Sequence, residues 1–447
     1  MDEEKFREMT EAPVHGLILK LCGPTVVSML ITNLYNLVDT FFVSRLGTSA
    51  GGAAGVVFNL MAVIQAVGFM LGQGSGSNVS RFLGSRQTEE ASRFASTGFF
   101  LALWGGALLG GAGICLLTPF MRLLGSTDTI LPYARTYGFY ILLAAPFMAS
   151  SCVLNNLLRY EGRAALAMRG LGAGAVLNMI GDPLLMYGFH LGMAGAGIST
   201  AVSQAVSFLI LISMFLRGRT QCSLSVKRIS RNRQEILQIL KNGMPSLTRQ
   251  GLTSVSGMVV NHQAAVFGDA AVAAISIVNR ICGLISSLMI GIGQGMQPAA
   301  GFNYGAKKYG RVRSAFYFTV ILGECALSCF AMAGSWGADM ILHKFSRDLL
   351  VLDIAAGALR IQSLSLIFQP LPACSNMLFQ TIGNSGKATF ISALRSGLLL
   401  IPAVFLGVRF WGLTGLKSAQ AIADAGTFLL TIPLISAFMR KMDREER

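Results

Sequence analysis

The sequence predicts an all-α polytopic membrane protein with twelve transmembrane helices in two six-helix lobes. Composition is the first reason: of the 447 residues, 53% are hydrophobic and 13% are charged, whereas soluble domains carry about 25% charged residues. Recurring apolar runs are the second reason, because each can cross roughly 30 Å of hydrocarbon. The predicted spans are 14–44, 54–80, 92–117, 134–158, 164–189, 194–216, 236–266, 270–300, 314–336, 353–380, 388–409 and 413–439.

An internal repeat is the third reason. It aligns Gln73 in "GQGSGSNVSRFLGSR" with Gln294 in "GQGMQPAAGFNYGAK", and Asn155 in "NNLLRYEG" with Asn376 in "NMLFQTIG", 221 positions apart in both cases. Transporters are commonly built from such duplicated halves, and six spans per half give the halves a parallel orientation. The predicted organisation is an N-terminal segment 1–13, a first lobe 14–216, a basic linker 217–235, a second lobe 236–439 and a C-terminal tail 440–447.

The net charge of +15 is explained by membrane topology and not by a nucleic-acid partner. If both termini are cytoplasmic, most Lys and Arg fall on the cytoplasmic side, for example Arg81, Arg159 and Lys307. This is the positive-inside asymmetry of membrane proteins. The acidic start "MDEEKFREMTE" is unlike a signal peptide. Eight scattered cysteines without C-x-x-C spacing predict neither a disulfide framework nor a metal site.

A polar cluster is predicted in the first lobe, where "NMIGDPLLMYG" places an aspartate and a proline inside an apolar span. Ionisable groups inside a bilayer are functional candidates because their insertion is costly. At roughly 1.5 Å per residue, Asp182, Asp39 and Thr200 lie about 10, 8 and 9 Å from the outer ends of their spans. Asn178 shares a helix face with Asp182, and Asn36 shares one with Asp39. These five residues are therefore the candidate cation-coupling site.

Pro183 leaves a backbone carbonyl oxygen without its helical donor next to this cluster. Pro183 has no N–H for the carbonyl of Met179, which leaves a backbone acceptor near Asp182. Two carboxylates at one depth resist joint ionisation. The set is therefore predicted to bind a small hard cation such as sodium or to share a proton. The structural alternative is that Asp182 caps or kinks its helix, with Asn178 and Asp39 as hydrogen-bond partners.

The second lobe does not repeat the aspartates, since the repeat puts Val260 opposite Asp39. Its intramembrane ionisable residues predict either a polar site that recognises substrate or an ion pair of Arg249 with Asp424 or Glu324. The glycines of "GQGSG" predict close helix packing, because the stretch lacks the G-K-[ST] of a phosphate loop. The candidate substrate-cavity residues are Arg249, His262, Arg280, Glu324, Asp424, Gln73 and Gln294.

Over essentially its whole length, the chain resembles the multidrug and toxic compound extrusion (MATE) family, in particular the bacterial branch with MepA-like and DinF-like exporters. The motifs that carry the resemblance are "NLYNLVDTFFVSRLG", "NNLLRYEGR", "LNMIGDPLLMYG" and "GAGISTAVSQ". The resemblance implies two lobes forming a V, alternating access, and a bacterial plasma (inner) membrane location. It implies export of organic, often cationic compounds driven by protons or sodium. It also implies a cation site at Asp39, Asn178, Asp182 and Thr200.

We therefore expect a monomeric antiporter that is not an enzyme, needs no cofactor, and has small-molecule substrates and the lipid bilayer as partners. One alternative is a lipid-linked precursor flippase of the same superfamily, which Arg249 and Arg280 keep open; another is an exporter of a zwitterionic or anionic metabolite. A membrane-embedded transferase or hydrolase would need an acidic or metal-binding cluster at the membrane surface, where the loops offer short basic turns. A major-facilitator carrier would need an aspartate that "SRFLGSRQTEE" lacks.

Overall fold

The computed structural model describes residues 3–343 and 348–446, so residues 1–2 and 447 of the predicted terminal segments lie outside the described residues. Regular structure in the described part is entirely helical, which confirms the predicted all-α fold. The α-helices are α1 Glu3–Glu11, α2 Val14–Ser44, α3 Thr48–Gly84, α4 Thr88–Cys115, α5 Leu117–Leu123, α6 Leu131–Tyr160, α7 Ala164–Pro183, α8 Gly192–Leu216, α9 Arg233–Ala265, α10 Asp269–Gly305, α11 Tyr309–Trp336, α12 Ala338–Leu342, α13 Leu349–Ser365, α14 Pro370–Thr381, α15 Ser385–Ala393 and α16 Leu400–Glu446.

Ten helical stretches of the described chain are long and apolar enough to cross a membrane. The last of them, Ser385–Glu446, contains two of the predicted spans, because Gly412 breaks α16 with a positive φ of 56°. The predicted seventh span is α9, a helix of 33 residues whose polar residues keep it outside the ten. Counting the two halves of the long stretch and α9 separately gives the twelve predicted spans.

The repeat predicted from the sequence is visible in the helix boundaries. Helices α3 and α10 each have 37 residues, and α4 and α11 each have 28. The turns between them also match, because Arg86 (φ 62°) and Lys307 (φ 59°) both adopt the left-handed conformation. Non-glycine residues rarely adopt this conformation. Its recurrence at equivalent positions therefore confirms the 6+6 repeat.

A side-chain contact recurs at the same offset. Asn155 Nδ2 donates to the carbonyl of Ala167 at 3.1 Å, and Asn376 Nδ2 donates to the carbonyl of Ala388 at 2.5 Å. Each contact joins the end of one span to the beginning of the next. The aligned asparagines thus have the same structural role in both halves.

Packing divides the chain into two units. The first unit contains Met1–Met9 and Val27–Gly243, and the second contains Thr10–Val26 and Met244–Arg447. In the first unit, Gln238 Nε2 from the start of α9 donates to Asn78 Oδ1 at 2.8 Å. In the second unit, Thr25 Oγ1 from the start of α2 donates to the carbonyl of Gly291 at 2.7 Å. Each long helix α2 and α9 therefore contributes its two ends to different units.

The linker between α8 and α9 is docked on the first unit by hydrogen bonds to its backbone. Three hydroxyl side chains of α4 accept from linker N–H groups at 2.9–3.2 Å. These pairs are Ser223 N with Ser92 Oγ, Ser225 N with Ser96 Oγ, and Ser230 N with Thr97 Oγ1. Since the donors are backbone groups, the linker follows a defined path over α4.

Glu161, directly after α6, provides a fourth attachment of the linker. Its fully buried carboxylate accepts from the N–H groups of Gln221 at 2.8 Å and Cys222 at 3.0 Å. Burial raises the pKa of Glu161 to about 7, while the two backbone donors and the charge of Arg163 act in the opposite direction. The desolvation of the carboxylate is the largest of these effects.

Candidate cation and substrate sites

Four predicted residues meet inside the first unit: Asp39, Asn178, Asp182 and Thr200. None is more than 2% exposed. Asn178 Nδ2 donates to Asp182 Oδ1 at 3.0 Å and to Thr200 Oγ1 at 3.2 Å. Residues from α2, α7 and α8 therefore share one buried polar cluster.

Two further residues belong to this cluster and were missed by the sequence analysis. The Tyr137 hydroxyl on α6 donates to Asp39 Oδ2 at 3.0 Å. Ser199 Oγ accepts from Asn178 Nδ2 at 3.3 Å and is also placed to donate to the Asn178 carbonyl at 3.3 Å. The carboxyl groups of Asp39 and Asp182 are within direct interaction range of each other. We call these six residues the carboxylate cluster.

Several acceptor oxygens in the carboxylate cluster lack a donor. Among the described residues, Asp39 Oδ1, Asp182 Oδ2 and Asn178 Oδ1 have no hydrogen-bond partner. No Lys, Arg or His of the described part forms an ion pair with either aspartate. Buried polar atoms without partners are costly. A proton or a small cation at this point would satisfy them.

Small residues and a wide helical turn bring the cluster together. After Pro183 the chain continues as a π-helix, Leu184–Gly188, a feature that is frequent at functional sites. A Cβ on Gly181 would lie 2.5 Å from Ser199 Oγ, so glycine lets α8 approach α7 closely. The Asp-Pro interruption therefore lies directly beside the cluster.

A second polar cluster lies around Asp424, which is 1% exposed. Its carboxylate has four donors, and one of them is a guanidinium: Arg395 Nε at 2.8 Å, Gln420 Nε2 at 3.0 Å, Gln369 Nε2 at 3.1 Å and Ser365 Oγ at 3.4 Å. The charge of Asp424 is therefore compensated. Its ionic partner is Arg395, not Arg249 or another residue of the predicted set.

Arg395 lies in the second π-helix, Leu394–Leu398, and lines a small cavity. The cavity has a volume of about 60 Å³ and is also lined by Arg249, Ser286, Gln369 and Asn376. All of these residues belong to the second unit. Two arginines thus border one partly open cavity whose lining also includes apolar residues such as Met289 and Ile391.

A model of the family described as MatE matches residues 24–184 and 245–406, which is more than half of the chain. The chain belongs to the MatE family. The matched segments fall one in each half of the repeat, and the first contains Asp39, Asn178 and Asp182. The second includes Arg395.

Relatives and solved structures agree with this membership. The chain is similar to the multidrug export protein MepA of Staphylococcus aureus, at 26% identity over 431 residues, which covers 95% of this chain and 94% of the relative. It is similar to MepA of Staphylococcus saprophyticus at 26% identity over 435 residues, with the same coverage. A crystal structure of MATE in complex with MaL6 has a TM-score of 0.93 at 22% identity over 99% of both chains. A MOP superfamily transporter from Pyrococcus furiosus has a TM-score of 0.92 at 22% identity, over 98% of this chain and 99% of that one. These matches confirm the predicted fold.

Four of the remaining predicted residues are not members of either cluster. The side chain of Asn36 is partly exposed and makes no hydrogen bond to the carboxylate cluster within the described residues. His262 and Arg280 are exposed, and Glu324 is partly exposed on α11. None of these four lines the cavity of the second unit.

Gln73 and Gln294 are buried, with 0% and 1% exposure. Their surroundings are closely packed: a Cβ on Gly74 would overlap the carbonyl of Ile239, and one on Gly295 would lie 2.6 Å from Cys22 Sγ. The glycines therefore serve helix packing, as predicted for "GQGSG".

Proposed function

We propose that this MatE-family protein is a secondary active antiporter that exports organic, often cationic and drug-like compounds across the bacterial plasma membrane. Protons or sodium flowing inward through the carboxylate cluster drive export by alternating access, in a monomer with both termini cytoplasmic. The observation that carries the proposal is the pair of buried aspartates with unpartnered oxygens Asp39 Oδ1 and Asp182 Oδ2. The similarity to MepA proteins, which are named multidrug export proteins, supports the class of cargo.

The cluster has groups for either cation. A proton on one carboxyl group would donate to the other and would remove the repulsion between two buried charges. Sodium would instead be held by oxygens of Asp39, Asn178, Asp182 and Thr200. In both cases Tyr137 and the Asn178 amide hold the carboxyl groups in place.

Coupling requires that the cation and the substrate bind with different strength in the two transport states. Asp39 lies on α2 and Asp182 lies on α7. Neutralising the cluster therefore acts on α2 directly, and we propose that the resulting rearrangement of α2 lowers the affinity for substrate.

The test is transport in proteoliposomes with a pH gradient and a sodium gradient imposed separately. Cationic, zwitterionic and anionic compounds should be compared as cargo. We expect Asp39→Asn and Asp182→Asn to abolish gradient-driven export. Asp339→Asn is the matched control, because Asp339 pairs with Arg360 at the surface, at 2.8 Å. Unchanged transport in both Asp39→Asn and Asp182→Asn would contradict the proposal.

A further inference from the structure

We propose that the cavity of the second unit binds the carboxylate of a zwitterionic substrate, and that Arg395 is the residue that holds it. Arg395 lines this cavity from the π-helix Leu394–Leu398. The inference rests on the proposed export function and adds a chemical class of cargo to it: compounds that carry a carboxylate in addition to a cationic group.

The Arg395 guanidinium uses only one of its N–H donors within the described part of the chain. Its Nε donates to Asp424 Oδ1, and this is its only hydrogen bond to a described residue. The Arg395 side chain is 34% exposed, whereas that of Asp424 is 0% exposed. A guanidinium has five N–H donors in a planar fork, so both Nη groups remain available to a ligand in the cavity.

Asp424 fixes the orientation of the Arg395 guanidinium. Its carboxylate is held by Gln369, Gln420 and Ser365 in addition to Arg395. A guanidinium fixed along its Nε edge presents its Nη groups as a preorganised pair. Such a pair matches the two oxygens of a carboxylate, and bidentate pairs of this kind are among the stronger hydrogen bonds in proteins. Asp424 is therefore a positioning residue.

A second guanidinium lines the same cavity. Arg249 borders it together with Arg395, and Asp424 pairs with Arg395. Guanidinium groups bind carboxylates through paired hydrogen bonds, so the two arginines favour an anionic group over a cationic one at this point.

The size of the cavity also fits a carboxylate group. A volume of about 60 Å³ is several times the roughly 10–15 Å³ that a single water requires in a cavity. It accommodates a carboxylate group and leaves the rest of a drug-sized molecule outside.

The experiment is equilibrium binding of two dyes to the purified full-length protein in detergent, measured by fluorescence anisotropy. One dye is a rhodamine with a free benzoate, and the other is the methyl ester of the same rhodamine. The dyes differ only in the carboxylate. We expect the wild type to bind the free acid about tenfold more tightly than the ester. Benzoate should displace the acid dye at lower concentration than inorganic phosphate or a short-chain phosphatidylglycerol.

Arg395→Lys keeps the positive charge next to Asp424 but removes the fork, so the preference for the acid dye should fall about tenfold. The combination of Arg395→Gln with Asp424→Asn removes both charges together, so that no buried charge is left unpaired and the protein should fold. This double variant should also lose the preference for the acid dye and should still bind the ester dye. Arg360→Lys is the matched control, since it alters an arginine paired with an aspartate outside the cavity.

Equal affinities for the two dyes, no binding of the acid dye, or an unchanged preference in both Arg395 variants would overturn the assignment. Stronger competition by phosphate or by the lipid would overturn the choice of a carboxylate. Asp39→Asn and Asp182→Asn neutralise the carboxylate cluster and should change the affinity for both dyes by the same factor, so that the preference for the acid dye is kept. Failure of the coupling proposal and failure of the carboxylate site are thereby distinguishable.

Discussion

The two halves of the molecule differ in the partners that they give to buried aspartates. In the carboxylate cluster, Asp39 and Asp182 lie together without a basic partner among the described residues, and each has an oxygen without a donor. Asp424 in the other half has four donors, including the guanidinium of Arg395. We propose that a mobile cation neutralises the carboxylate pair of the first half, whereas Arg395 already neutralises Asp424 in the second.

This difference also shows what the duplication has kept. The same offset relates the helix lengths, the left-handed turns and the contacts of Asn155 and Asn376. The buried aspartates are not repeated, since Val260 stands opposite Asp39. The repeat therefore specifies a common scaffold. We propose that each half carries its own chemistry on this scaffold: cation coupling in the first half and recognition of an anionic group in the second.

The largest effect on stability is expected for Arg395→Gln. It leaves the charge of Asp424 buried without its ionic partner, which costs about 3–5 kcal/mol. Adding Asp424→Asn should restore most of the free energy of unfolding, measured by denaturant titration in mixed micelles. In contrast, Asp182→Asn should cause little loss, because it removes a charge that has no basic partner. Equal losses of unfolding free energy for Arg395→Gln and Asp182→Asn would contradict the difference that we describe between the two halves.

Glu161 allows the comparison to be extended to a fourth buried carboxylate, one that has backbone donors. Its folded-state pKa of about 7 lies above the ordinary value of 4.5. Its contribution to stability is therefore fully present below about pH 4.5 and is lost as the pH rises through 7. The expected loss is roughly 3 kcal/mol.

The measurement is the free energy of unfolding between pH 5 and pH 8, in the wild type and in Glu161→Gln. Tryptic cleavage of the linker, normalised to a reference peptide, should also become faster in the wild type as the pH rises. The Gln variant should not show either trend beyond the background of the remaining groups. Parallel pH profiles for the two proteins would contradict the assignment to Glu161.

Removal of a single donor should have unequal effects in the two clusters. Tyr137→Phe deletes the hydroxyl that donates to Asp39, and a hydrogen bond to a charged group contributes about 1.5–3 kcal/mol. Gln420→Ala deletes one of four donors to Asp424, so we expect a loss of under about 1 kcal/mol. Thermal unfolding of the two variants side by side measures both. A larger loss for Gln420→Ala would reverse the order that we predict.

The smallest difference is expected where the halves are alike. Asn155→Ala and Asn376→Ala each remove the recurring contact to the next span, at a cost of about 1 kcal/mol each. The Asn376 variant should lose slightly more, because Asn376 also donates to Ser392 at 2.8 Å. Unfolding titrations that show a several-fold difference between these variants would argue against a common scaffold.

Much of the fold was predictable because it depends on one-dimensional properties of the chain. Apolar runs define the spans, and the constant offset defines the repeat. The predicted span 236–266 corresponds to α9, although α9 is less apolar than the other spans. The path of the linker was not predictable, because it depends on backbone N–H groups that every sequence has.

The first-half site was partly predictable for the same reason. Counting residues from a span end gives the depth of Asp39, Asp182 and Thr200 but not the direction in which each side chain points. Tyr137 lies near the end of its span, where tyrosines commonly face the membrane interface. Arg395, in contrast, lies within the predicted span 388–409, and the rule that selected Asp424 should have selected it as well.

The most direct test of the account is cation movement driven by a substrate gradient in proteoliposomes. The methyl ester dye is the suitable substrate, because it lacks the carboxylate that Arg395 is proposed to bind. The account predicts proton or sodium flux in the wild type and in the variant that combines Arg395→Gln with Asp424→Asn, but none in Asp182→Asn. Flux that persists in Asp182→Asn, or that is lost only in the Arg395 and Asp424 variant, would contradict it.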